Sequence, residues 1–175
     1  MGIKIRDKSI KRYFIFGCEF TATTHLRDSF LQQNIPLDIP NPNTQKYSQN
    51  IRHLNRTILY EAGGDLDLIP SHDAIMELQT NSFINNEIKA ILEKPIDGMF
   101  WGRYDPLLAF TLPLYFPYLD PSEDIYLITS YRKEYIILDK MKQYLYLSQE
   151  RLKELIHEYQ IRTIQTVELF TDYFS

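Results

Sequence analysis

One cysteine, one tryptophan and six glycines stand among 175 residues, and each scarcity removes a class of protein. With Cys18 alone, no disulfide closes within the chain and no multi-cysteine zinc site is built from it. Positive charge is not in excess either: 19 Lys and Arg against 23 Asp and Glu give a formal net charge of −4. The basic residues are scattered, so no broad phosphate-binding surface, and hence no nucleic-acid partner, is expected. Long apolar runs are missing as well. The longest, Leu107 to Leu119, is broken by Pro113 and Pro117 and falls short of the ~20 residues that cross a bilayer. The apolar run Tyr13 to Gly17 is too short for a secretory signal, which leads to the expectation of a cytoplasmic, reducing address away from membranes.

What is abundant is aromatic surface: 13 Tyr and 10 Phe. Tyrosine buries a large apolar body and keeps a hydroxyl available, so it suits half-buried sheets and protein-binding faces alike. With 44% hydrophobic and 24% charged residues the chain has an ordinary globular balance. At this length one core is the default. Residues 1–175 are therefore read as one domain, with 1–10 as a basic arm in which Lys4, Arg6 and Lys8 are offset by Asp7.

Along the chain, Arg12 to Gly17 is an aromatic, β-branched run that reads as a buried strand. Thr24 to Gln33 places Leu26, Phe30 and Leu31 on one helical face, and Ile35 to Ile39 reads as a second strand. Tyr47, Ile51, Leu54 and Ile58 predict a helix from Asn43 or Thr44 to Tyr60, stopped by Gly63 and Gly64. Ser71 is an N-cap for a helix from His72 to Gln79, and Ser82 to Leu92 carries Ile84, Ile88, Ile91 and Leu92 on one side. Gly98 to Gly102 reads as a strand or a tight aromatic loop. Asp105-Pro106 opens a buried helix over Leu107 to Leu112.

Three strand-like runs follow, Ile125 to Tyr131, Glu134 to Leu138 and Gln143 to Leu147, parted by the polar pairs and quartets Arg132-Lys133 and Asp139 to Lys142. Connections that short predict an antiparallel meander. Ser148 caps a helix facing inward through Leu152, Leu155, Ile156 and Tyr159, and Ile161 to Leu169 alternates like a last strand. The fold class expected is α+β: a mixed sheet with an N-terminal strand-helix-strand unit and a C-terminal three-stranded antiparallel meander followed by a helix.

Three kinds of chemistry are weighed. Cys18 lies between a strand and a helix, where backbone N–H groups lower a thiol pKa. His72 or His25 is available as its base, and Asp73 or Asp38 as an orienting carboxylate, which together would make a cysteine-dependent hydrolase or acyltransferase. Asp65 and Asp67, an Asp-x-Asp after two glycines, have the spacing to hold a divalent metal on a sugar nucleotide. No Gly-x-x-x-x-Gly-Lys-Ser loop is present, and no metal site or cofactor is expected. Tyr126, Tyr131, Tyr144 and Tyr146, with Lys133 and Glu134 between them, gather on the expected meander as a partner-binding face. Since no complete catalytic constellation emerges, the leading expectation is a small protein-binding or regulatory module, such as an immunity-type inhibitor of a toxin, whose partner is another protein. The cysteine enzyme and the metal-dependent enzyme follow it. Nothing in the sequence specifies an oligomeric state.

Overall fold

A computed structural model describes residues 11–18, 23–35, 37–38, 51–93 and 100–175. Four strands, β1 (Lys11–Phe16), β2 (Leu37–Asp38), β3 (Phe100–Tyr104) and β4 (Asp124–Thr129), form a sheet in the order β2-β3-β1-β4. Every pairing is parallel. Parallel neighbours need long crossovers, and helices supply them. α1 (Thr23–Gln32) lies between β1 and β2; α2 (Ile51–Glu61), α3 (His72–Glu77) and α4 (Ser82–Glu93) lie between β2 and β3; α5 (Leu108–Thr111), continued as a 3₁₀ turn over Leu112–Tyr118, leads to β4. Two helices close the described chain, α6 (Glu134–Tyr144) and the 25-residue α7 (Gln149–Tyr173).

β1 is an interior strand, paired with β3 and β4, and its Phe14, Ile15 and Phe16 are fully buried, as expected of a parallel strand covered on both faces. On one face Tyr13 stacks on Tyr126 of β4 at 5.2 Å and meets Phe30 of α1 edge-on at 5.2 Å. On the other, Phe14 and Phe16 join the main core with Ile58, Ile88, Leu108, Phe110, Ile137 and Leu155. Gly102 faces Tyr13 across the β1–β3 pair, and a Cβ there would collide with the Leu37 side chain, so glycine lets β2 close onto β3.

Helix ends follow local chemistry. Asn34 ends α1 in the left-handed region (φ 56°) and Gly63 ends α2 likewise (φ 85°). The next amide in each case bonds back to the last turn, Ile35 to Phe30 and Gly64 to Leu59. Ser71 and Ser148 cap α3 and α7 by accepting from the amides of Ala74 and Arg151, both at 3.2 Å. Fully buried Arg103 of β3 donates to the Ile91 carbonyl in the last turn of α4, where a cation complements the helix dipole.

The C-terminal third corrects the sequence-based expectation. The mixed helix-and-sheet class stands, but there is no antiparallel meander among the described residues. Ile125 to Tyr131 does contain β4, which pairs with β1 in parallel. Glu134 to Leu138, the expected Asp139 to Lys142 turn and the start of the third run all belong to α6. Ile137, Leu138 and Met141 form its buried stripe, a helical spacing that outweighs the strand preference of Tyr and Ile. Ile161 to Leu169 is likewise no strand. Tyr159, Thr163, Thr166 and Phe170 recur at helical intervals on the inward side of α7, and no Gly or Pro interrupts the sequence from Ser148 to Ser175. The basic arm over residues 1–10 and the expected helix start at Asn43 or Thr44 lie outside the described residues. No helix among the described residues is long and apolar enough to cross a membrane.

Candidate functional site

Because all four strands run the same way, their carboxyl ends share one side of the sheet. In open parallel sheets ligands sit outside those ends, where connecting loops diverge and leave a crevice. Gly17 and Cys18 follow β1 there, Asp105 follows β3, and Ser130 and Tyr131 follow β4. Between the ends of β1 and β4 and one flank of α7 lies a cavity of about 270 Å³. Cys18, only 3% exposed, is its floor. Thr129 and Ser130 line it from the sheet, and Gln160 and Thr163 from α7. Tyr131 and Ile164, 78% and 58% exposed, stand at the rim.

Among the described residues, the lining of this cavity offers hydroxyls, one primary amide, a thiol and an aliphatic side chain, and none of them carries a carboxylate, ammonium, guanidinium or imidazole. The Thr163 hydroxyl donates to the Tyr159 carbonyl at 2.7 Å, which leaves its oxygen as an acceptor toward the cavity. A charged ligand group would lose its hydration here without a counter-charge from the described residues. An uncharged molecule carrying a hydroxyl or an amide would exchange water for protein partners at little cost.

The proposed catalytic residues do not meet. Cys18 lines this cavity, while His72 lines a separate depression of about 290 Å³ on the other flank of α7. His72 begins α3, with Asp73 beside it in the first turn. Burial and the nearby Arg162 guanidinium push the imidazole below its ordinary pKa, while Asp73 acts weakly in the opposite sense. His25 is exposed on α1, and the side chain of Asp38 lies outside the described residues.

Asp65 and Asp67 lie in a turn. One Asp65 carboxylate oxygen accepts from the amides of Asp67 and Leu68, each at 2.8 Å. The Asp67 carbonyl accepts from Arg151 of α7 at 2.6 Å, which pins the turn to the helix. Among the described residues no group of three or more His, Cys, Asp or Glu side chains is placed to hold a metal ion.

The residues expected on the meander face are spread differently. Tyr126 sits on β4, half-covered by Tyr13, with the Lys11 ammonium 5.8 Å from its ring centre. Tyr131 lies beyond β4, Lys133 and Glu134 open α6, Tyr144 ends it, and Tyr146 follows it. All of these are exposed to solvent.

Two features escaped sequence reading. Thr129, Ser130, Gln160, Thr163 and Ile164 come together only once the sheet is parallel and α7 continuous, and no local pattern marks them. The second is a buried polar cluster behind the carboxyl end of β3. Asn55 of α2 donates to Asp105 at 2.7 Å and accepts from the hydroxyls of Thr111 and Tyr115, both at 2.8 Å. The polar Asn55 in the apolar stripe of α2 was the available signal. Burial and the Asp105 charge raise the Tyr115 phenol well above its usual pKa.

Comparison with known protein families, with curated proteins and with solved structures returns no match.

Proposed function

We propose that the chain is a ligand-binding α/β domain that takes a small uncharged molecule at the carboxyl end of its sheet. The observation that carries this reading is the cavity between β1, β4 and α7, whose described lining residues are uncharged, in the position where open parallel sheets bind ligands. In it Thr129, Ser130, Gln160 and Thr163 serve as hydrogen-bonding contacts, Tyr131 and Ile164 frame the entrance, and Cys18 packs as a small hydrophobe at the base. Cysteine-dependent hydrolase or acyltransferase chemistry has weaker support, because the thiol is buried and no imidazole lines its cavity among the described residues. The Asp65 and Asp67 metal reading has weaker support too, since the Asp65 carboxylate is engaged by its own turn.

Benzamide, a neutral ring with one amide, is a suitable probe. Titration followed by methyl NMR is expected to give saturable shifts at Ile164 and Thr163, and Thr163→Phe, which fills the cavity, is expected to abolish them. Saturation that is unchanged in Thr163→Phe would remove this cavity from consideration.

A second reading, the protein-binding or regulatory module of the immunity type, is favoured by one observation. Tyr131, Tyr135, Tyr144 and Tyr146 are all exposed around α6, with Lys133 and Glu134 among them. Tyrosines with few rotatable bonds make good interface anchors. Co-purification of a stoichiometric partner that is lost on charge reversal at Lys133 and Glu134 would put this reading first.

A further inference from the structure

Two glutamines of the C-terminal helices spend their side-chain amides on neighbours. Gln143 of α6 donates to the Asp139 carbonyl at 3.1 Å, and Gln165 of α7 accepts from Arg162 at 3.5 Å. Gln160 of α7 differs from both. It is partly buried, makes no hydrogen bond among the described residues, and lines the cavity at the carboxyl end of the sheet. Its amide holds an NH2 donor and a carbonyl acceptor side by side in one plane.

Thr163 lines the same cavity three residues further on, and side chains at that spacing are neighbours on a helix. Its hydroxyl proton is committed to the Tyr159 carbonyl at 2.7 Å, so toward the cavity it is an acceptor. The α7 wall thus combines two acceptors, Thr163 Oγ1 and Gln160 Oε1, with one donor, Gln160 Nε2. Two neighbouring acceptors call for a group with two N–H bonds, and the donor calls for an acceptor beside that group. An exocyclic amine next to a ring nitrogen has this pattern, and it is the edge of adenine that glutamine pairs with in two hydrogen bonds.

We infer, resting on the reading of this cavity as a ligand site, that its occupant is a free nucleobase with an exocyclic amine, adenine or cytosine, held through that amine by Gln160 and Thr163. The rest of the lining suits a flat ring. Tyr131, 78% exposed at the rim, has its ring available for stacking, the mode in which proteins hold unpaired bases. Ile164 and Cys18 add apolar contact. The volume of about 270 Å³ lies just under the ~300–1,000 Å³ usual for drug-sized ligands, which suits one small ring system. The phosphates of a nucleotide would meet no cation among the described lining residues. A saccharide carries hydroxyls around its whole ring and would bury some of them against Cys18 and Ile164 without partners.

The test is methyl NMR titration of the full chain with adenine and with hypoxanthine, in which a carbonyl replaces the amine, alongside benzamide. Adenine is expected to shift the Ile164 and Thr163 methyls saturably and to bind about tenfold or more tightly than hypoxanthine, whose carbonyl would face two acceptors. Gln160→Met, which keeps the side-chain length and removes the amide, is expected to abolish that preference. Thr163→Val, which removes the other acceptor, is expected to reduce it. A circular dichroism spectrum matching the parent verifies folding of each variant. Saturation by benzamide with none by adenine would overturn the nucleobase assignment and leave the cavity as a ligand site. Silence with both compounds would overturn the assignment and the ligand-site reading together. Equal binding of adenine and hypoxanthine, or a preference unchanged in either variant, would also overturn the assignment.

Discussion

The side-chain amide of Asn55 donates to the Asp105 carboxylate at 2.7 Å, joining α2 to the carboxyl end of β3 inside the core, where the two residues are 0% and 1% exposed. The same Asn55 carbonyl oxygen accepts two hydroxyls, so one side chain satisfies three buried groups. Replacing it by alanine removes the amide donor from the Asp105 carboxylate and the acceptor of the buried Tyr115 hydroxyl, while the Thr111 hydroxyl keeps the Leu107 carbonyl at 3.2 Å. Asn55→Ala is expected to cost about 3–5 kcal/mol, the range for breaking a buried charged contact by removing one partner. Urea unfolding measures it, and a loss below about 1 kcal/mol, the usual value of a single neutral hydrogen bond, would show that the cluster is not a structural tie.

Tyr115 closes that cluster and gives it an alkaline limit. Burial and the Asp105 charge hold the folded-state phenol well above its usual pKa. Below the unfolded value of about 10 both states keep the proton and stability is unaffected. Above it the unfolded chain releases the proton first, so stability falls as pH rises toward the folded value. Tyr115→Phe is expected to cost about 1 kcal/mol at neutral pH and to flatten the alkaline decline. An identical decline in both proteins between neutral and strongly alkaline pH would contradict the assignment.

His72 sets the opposite limit. Its folded pKa lies below the ordinary value because of burial and Arg162. As pH falls through about 6.5 the unfolded chain takes up the proton first, so stability drops until the folded imidazole also titrates. NMR titration is expected to show the His72 ring moving back toward its ordinary pKa in Arg162→Gln. No movement would mean that the guanidinium does not act on it.

The first two-thirds of the fold is legible in the sequence because local signals there agree with one another. Ser71 before His72, the isoleucine stripe of Ser82–Glu93 and the glycines after Glu61 each report a helix end or face through chemistry that acts within a few residues. The C-terminal third is misread where residue preference and periodicity disagree. In Glu134–Tyr144 the β-favouring Tyr135, Ile136 and Ile137 suggest a strand, while the buried Ile137, Leu138 and Met141 keep helical spacing. Tertiary burial decides such cases, and it depends on the distant partners β1 and α7. The candidate site was hidden for the same reason: Cys18 is visible as a singular residue, but its neighbours Thr129 and Thr163 are more than a hundred positions away.

Lys140 separates the two foldings experimentally. It is exposed, in the interior of α6, where an antiparallel meander would have had a turn. Lys140→Pro is expected to cost about 3 kcal/mol or more, since proline removes an amide and clashes with the preceding turn. A thermal transition unchanged by the substitution would favour a turn at this position.

The most direct measurement on the sheet-end cavity is the pattern of intermolecular NOEs from benzamide ring protons in the saturated complex. Contacts to the methyl groups of Thr129, Thr163 and Ile164 together are expected, because those three converge on one cavity from β4 and α7. NOEs confined to outward-facing methyls such as Ile161, with none to Thr129 or Thr163, would contradict a ligand site at the carboxyl end of the sheet.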